Sequence, residues 1–194
     1  MPAPLMPRDQ VVLRLMPVFR KHGYDGASLA GLSEATGLGK SSLYHYFPGG
    51  KADMAEQVLV HLEADLETAL FEPLSGSGSP QAKLDAMLAA LSSFYEGGKR
   101  ACLLERLCAS VDYQRFRRPL ARIFEKWIHA VEKLCREAGL PKALARRRAE
   151  DLVVRVEGAL VVSAGTGETA IFARTLEELS VSSLAAGRAA VRRP

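Results

Sequence analysis

Three stretches place residues that can do chemistry at close spacing. Gly39-Lys40-Ser41 ends like a phosphate-binding loop, where backbone amides cradle phosphates and a lysine neutralises them. That loop requires GxxxxGK[ST] after a strand. Glu34 occupies the position of the first glycine, and the preceding SLAGLSEAT repeats its apolar residues with a helical period. Nucleotide binding therefore fails on both spacing and context. Gly165, Gly167 and Ala170 copy the GxGxxA turn of a dinucleotide fold, but that fold needs an acidic residue about 20 positions on, with more strand and helix between. Only 24 residues follow Ala170, and they read as one helix and a tail. His22, His45, His61 and His129 are scattered, and Cys102, Cys108 and Cys135 form no CxxC pair. No metal site, no cofactor and no nucleophile–base–acid set can be assembled, so no catalytic residue and no enzyme are expected.

The stretch Gly37–Phe47, GLGKSSLYHYF, also fits the turn and second helix of a DNA-binding motif. Ser28 reads as the N-cap of a short helix carrying Leu29, Leu32 and Ala35. Gly37-Leu38-Gly39 interrupts it, a third helix carries Leu43, Tyr44, Tyr46 and Phe47, and Pro48-Gly49-Gly50 ends that helix. If Leu43 and Phe47 face inward, then Lys40, Ser41, Ser42, Tyr44 and His45 include the outward set. Lys40 and Lys51 can neutralise phosphates, hydroxyl groups can bond phosphate oxygens, and free amides near Ser28 offer a further phosphate contact. Upstream, Val11, Val12, Leu15, Val18 and Phe19 form a helical stripe that stops at His22-Gly23, with a kink predicted at Pro17. Charge agrees weakly. Residues 1–51 hold six Lys or Arg against three Asp or Glu, whereas residues 52–194 hold twenty against nineteen.

Residues 8–54 resemble the N-terminal DNA-binding domain of TetR-family transcriptional regulators. The resemblance lies in HGYDGASLAGLSEATGLGKSSLYHYFPGGKADM: the Gly-Tyr after helix one, the hydroxyl of Ser28, the glycine turn, and LYHYF followed by Lys51. It also resembles a subgroup whose best-known members repress multidrug efflux genes. By position, the resemblance implies a phosphate contact at Ser28 and the leading end of a recognition helix at Gly39, Lys40, Ser41 and Ser42. It implies further phosphate or base contacts at Tyr44, His45 and Lys51.

The rest of the chain is helical in pattern. A four-residue stripe runs through Met54, Val58, Leu62, Leu66 and Leu70, and SGSGSP (75–80) breaks it. Helices are predicted near 81–97, 101–111, 113–138, 142–169 and 171–186, with no strand. The expected fold is all-α: a DNA-binding domain of three helices over 1–50 and a helical ligand-binding and dimerisation domain over 51–194. Gly158, Ser163, Ala164 and Gly165, with Val153, Val156, Leu160 and Val161, suit close helix packing. With Ile171, Leu176, Leu179 and Leu184 they resemble the family's dimer interface, a four-helix bundle shared by two subunits. Phe94, Tyr95, Leu104, Cys108, Tyr113, Phe116, Phe124 and Trp127 supply apolar walls with a few polar groups, and the resemblance implies a small-molecule inducer pocket there. RFRRPLAR (115–122) and ARRR (145–148) read as solvated faces pairing with Glu125, Glu150 and Asp151.

No apolar run reaches the roughly 18 residues a membrane helix needs, and the N-terminus lacks the pattern of a signal peptide. A cytoplasmic protein with reduced thiols and no membrane partner is expected. The expected function is a homodimeric repressor, released from a palindromic double-stranded DNA operator by an inducer. An activator, or a regulator switched through Cys102 or Cys108, stands beside it on the same fold.

Overall fold

The computed structural model describes residues 6–185, which form α-helices joined by short loops, with no strand among them. In order come α1 (Arg8–Gly26), α2 (Leu29–Thr36), α3 (Lys40–Tyr46) and α4 (Gly50–Leu66). A π-helical stretch, Glu67–Phe71, leads into the short α5 (Glu72–Ser75). Then follow α6 (Pro80–Phe94), α7 (Leu103–Cys108), α8 (Tyr113–Glu137), α9 (Lys142–Thr166) and α10 (Ala170–Ser182). Ser79 caps α6 by accepting the Ala82 N–H at 3.2 Å, with Pro80 in the first turn, so the flexible break predicted at 75–80 also starts the next helix.

The chain packs as two compact units. One holds residues up to Leu66 together with Ala101–Ile123; the other holds Glu67–Arg100 and the chain from Phe124 onward. This division follows packing, whereas the boundary expected at residue 50 follows the DNA-binding motif.

In the first unit, Val11, Leu15, Phe19, Leu32, Leu43, Phe47, Met54 and Val58 are fully buried. Burying such a side chain contributes roughly 1.5–3 kcal/mol, so this cluster fixes how α1 to α4 meet. Helical dihedrals continue through Pro17, which lies on the exposed face where water can serve the carbonyl left without an N–H partner. The backbone leaves the helix instead at Gly23, at φ 66° and ψ −176°. Tyr24 then stacks near Phe19 and meets Phe116 edge-on, with ring centroids 5.1 Å apart. Asp25 accepts the Val111 N–H at 2.9 Å and the Ser110 hydroxyl at 3.3 Å, tying the loop before α8 to the end of α1.

The second unit is built around Leu84, Met87, Leu91, Tyr95, Trp127, Val131, Val156 and Phe172. Gly98 has φ +95°, and a Cβ there would lie 2.8 Å from that of Phe172, so only glycine fits this close approach.

Candidate DNA-binding site

The expected helix–turn–helix forms, and its turn is held by groups two to five residues apart and by one anchor from helix one. Ser28 Oγ accepts the Gly31 N–H at 3.1 Å, the predicted N-cap of α2. At the far end, Gly37 takes a left-handed conformation, φ 70°, that ends α2 and would strain any side chain. Thr36 Oγ1 donates to the Leu32 carbonyl at 2.8 Å and accepts the Leu38 N–H at 3.3 Å, while Ser33 donates to the Leu38 carbonyl at 2.5 Å. Arg14 of α1 donates to the Thr36 carbonyl at 2.9 Å and so fastens the turn to helix one.

α3 starts after Gly39 and sinks Leu43 into the core, with Phe47 buried just past its end. Lys40, Ser41, Ser42, Tyr44 and His45 are all exposed, the division expected from the helical period. No carboxylate pairs with Lys40 among the described residues. Ser28 and Gly39 are exposed as well. Of the eight residues expected to meet DNA, Lys51 differs. It is half-buried in the first turn of α4, where its ammonium donates to the Tyr24 carbonyl at 2.9 Å and lies 4.4 Å from the Tyr24 ring centre. Burial, then the nearby Asp112, pushes the Tyr24 hydroxyl pKa up.

Gly49-Gly50 has a local role. Gly49 N–H donates to Asp53 at 3.4 Å, and Gly50 adopts φ +68°, where a Cβ would lie 3.3 Å from Tyr44 Cε1. Sequence reasoning missed the clamps around this site. Tyr46 donates to the Met6 carbonyl at 2.6 Å, and Arg8 lies over the Phe47 ring and pairs with Asp53 at 3.7 Å. Only the hydroxyls of Ser33 and Thr36, next to a helix end, carried a local signal for such bonds.

The eight residues expected to line an inducer pocket divide between the units. Leu104, Cys108, Tyr113 and Phe116 belong to the first; Phe94, Tyr95, Phe124 and Trp127 belong to the second. Leu104, Phe116, Tyr95 and Trp127 are buried, Tyr113, Phe94 and Phe124 are half-buried, and Cys108 is exposed. Tyr95 meets Phe94 and Phe172 edge-on, at 4.9 and 6.0 Å between ring centres. The indole N–H of fully buried Trp127 has no acceptor among the described residues.

The residues expected for dimerisation divide between an inward and an outward face. Val153, Val156, Leu160 and Ser163 are buried within their own unit, as are Leu176 and Leu179. The outward stripe of α9 is Val154, Gly158, Val161, Val162 and Gly165, with Val161 and Val162 nearly half exposed and Val154 more so. A Cβ at Gly158 or Gly165 would meet nothing within 4 Å. On α10, Val181 is exposed. Arg146 pairs with Glu125 and Glu150 as expected, and with Glu132 too, while Arg115 and Arg122 turn to Glu56 and Glu63. Among the described residues no helix is long and apolar enough to cross a membrane, and no group of His, Cys, Asp and Glu has the geometry to hold a metal.

Residues 16–58 match the family model "Bacterial regulatory proteins, tetR family". Residues 80–178 match "Transcriptional regulator LmrA/YxaF-like, C-terminal domain". The chain is similar to the HTH-type transcriptional regulator LmrA of Bacillus subtilis, at 22% identity over 80% of this chain and 85% of the relative. It is also similar to the HTH-type transcriptional repressor DhaR of a Mycobacterium species, at 26% identity over 75% and 74% of the two chains. Among solved structures it shares its fold with a cysteine mutant of the regulator CifR complexed with 26-bp operator DNA. That match has a TM-score of 0.77 at 21% identity, covering 94% of this chain and 99% of that one.

Proposed function

The chain belongs to the TetR family of bacterial regulatory proteins, and on that premise we propose that this transcriptional regulator is a cytoplasmic, non-enzymatic repressor that acts as a homodimer on a palindromic operator and leaves it when an inducer binds. Residues 1–50 read the DNA in this proposal, and residues 51–194 dimerise and bind the inducer. The observation that carries the DNA-binding half is α3 itself. A helix of seven residues, anchored by buried Leu43 and backed by Phe47, turns Lys40, Ser41, Ser42, Tyr44 and His45 to solvent. A recognition helix needs that division: apolar residues fix its angle, and polar ones meet base edges and phosphates. Gly39 precedes Lys40 at the start of α3, and Ser28 lies exposed at the start of α2, where backbone amides can meet phosphates. Lys51 contributes through its remaining donors and by holding α4 against Tyr24.

Two features support the remaining parts. The outward stripe of α9, from Val154 to Gly165, joins exposed apolar side chains to glycines with open space above them, a surface on which a second helix can sit close. A two-fold dimer through that face would carry two recognition helices to half-sites one turn of DNA apart. For the inducer, the buried Trp127 N–H offers a donor to a ligand acceptor among apolar walls, and burying such a donor unpaired is costly. The ligand then acts by preferring a state whose recognition helices are wrongly spaced.

The reading is tested by selecting fragments of the source genome with purified protein at two salt concentrations. A few palindromic fragments retained at the higher salt are expected. Uniform binding that disappears with salt reflects phosphate attraction alone and contradicts it.

A further inference from the structure

Two arginines of the basic run Arg115–Arg122 pair within their own unit. Arg115 Nη1 lies 3.3 Å from Glu56 Oε1. Arg122 grips Glu63 with two N–H groups, Nη2 to Oε2 at 2.7 Å and Nε to Oε1 at 3.3 Å. Both pairs join residues 59 apart in sequence, and that constant offset sets α4 and α8 parallel and in register along this edge. On each helix the two charges lie seven residues apart, about two turns, and so share one stripe. Val60 and Pro119, at the same offset between the pairs, line with Leu59 an open groove of about 280 Å³, and Val60 is 60% exposed. Along this edge the two ion pairs span the groove between α4 and α8, while Met54 and Val58 on the other side of α4 are buried in the core. The N-terminus of α4 abuts the recognition helix where Gly50 meets Tyr44, so an axial shift of α4 is felt at α3.

We propose that Glu56–Arg115 and Glu63–Arg122 are positioning pairs that hold α4, and through it α3, in the place that fits the operator. This rests on the DNA-binding reading above. Exposed ion pairs add little to folding, so their loss spares the fold while widening the range of positions that α3 samples.

The test uses the full-length chain with E63Q, E56Q/E63Q and the charge exchange E63R/R122E. It reads affinity for a selected operator fragment, the thermal midpoint, and amide hydrogen exchange along residues 50–66. The account expects E56Q/E63Q to bind the operator on the order of fivefold more weakly, with faster exchange through α4 and a midpoint near that of the parent. The exchanged pair recovers most of the affinity and protection that E63Q alone loses. Affinity within twofold of the parent in E56Q/E63Q, or an exchanged pair as weak as E63Q, overturns the proposal. If the parent selects no DNA, the regulator reading has failed instead, and hydrogen exchange alone decides on the pairs: unchanged protection of α4 in E56Q/E63Q overturns them.

Discussion

Lys40 and Tyr44 stand exposed on the proposed reading helix while Leu43 between them is fully buried, so neighbouring substitutions should have opposite consequences. Lys40→Ala and Tyr44→Ala should weaken operator binding and leave the thermal midpoint in place, as paired binding and melting curves would record. Leu43→Ala should cost about 2–5 kcal/mol of stability, measured by denaturant unfolding, because it leaves a cavity among packed side chains. The thiols differ in the same way. Cys108 is exposed, whereas burial pushes the Cys135 thiol up to about 11 from an ordinary value of 9.0. The folded state thus keeps Cys135 neutral where the unfolded chain ionises, so its contribution to stability is intact below pH 9 and is lost as pH rises towards 11. Midpoints measured between pH 8 and 11 should fall less steeply in Cys135→Ala; an identical slope would contradict this assignment. The inward places of Leu43 and Phe47 and the Ser28 cap were legible because periodicity and capping are local. The partner of Lys51 was not, since the Tyr24 carbonyl lies 27 residues away and nothing in the local pattern marks it.

At the scale of elements, the helices were legible from apolar spacing and from Gly and Pro punctuation, since both act within a turn or two of chain. The Met54–Val58–Leu62–Leu66–Leu70 stripe is buried throughout. The outward face of α9 was not legible, because that helix is apolar on both sides and its period says only that faces exist, not which one the subunit keeps. Val153, Val156 and Leu160 went to the unit's own core, leaving Val154, Gly158 and Val161 outside. Val161→Glu is therefore expected to convert the proposed dimer into folded monomers by sedimentation, with little change in midpoint per chain, whereas Leu160→Glu should unfold the unit. A dimer that survives Val161→Glu moves the interface elsewhere. At the joint between α3 and α4, Gly50→Ala should cost on the order of 1 kcal/mol or more, because φ +68° is costly for a residue with a Cβ and Tyr44 stands 3.3 Å away.

For the whole molecule, the family fixes a two-part regulator, and the account adds that two copies present α3 to DNA in a fixed spacing. The likeness covered both halves of the chain, but the residues of the proposed inducer site were not legible in the sequence. Its expected residues have helical spacing that serves ordinary packing equally well, as Tyr95 against Phe172 illustrates. The central claim is most directly tested by footprinting the parent protein and a Lys40→Ala/Tyr44→Ala variant on a fragment selected from the source genome. The account predicts two protected segments, centred about 10 base pairs or a multiple of that apart and related by a two-fold axis, both lost in the variant at concentrations that saturate the parent. A single or continuous protected stretch, or a footprint that the variant leaves unchanged, would contradict it.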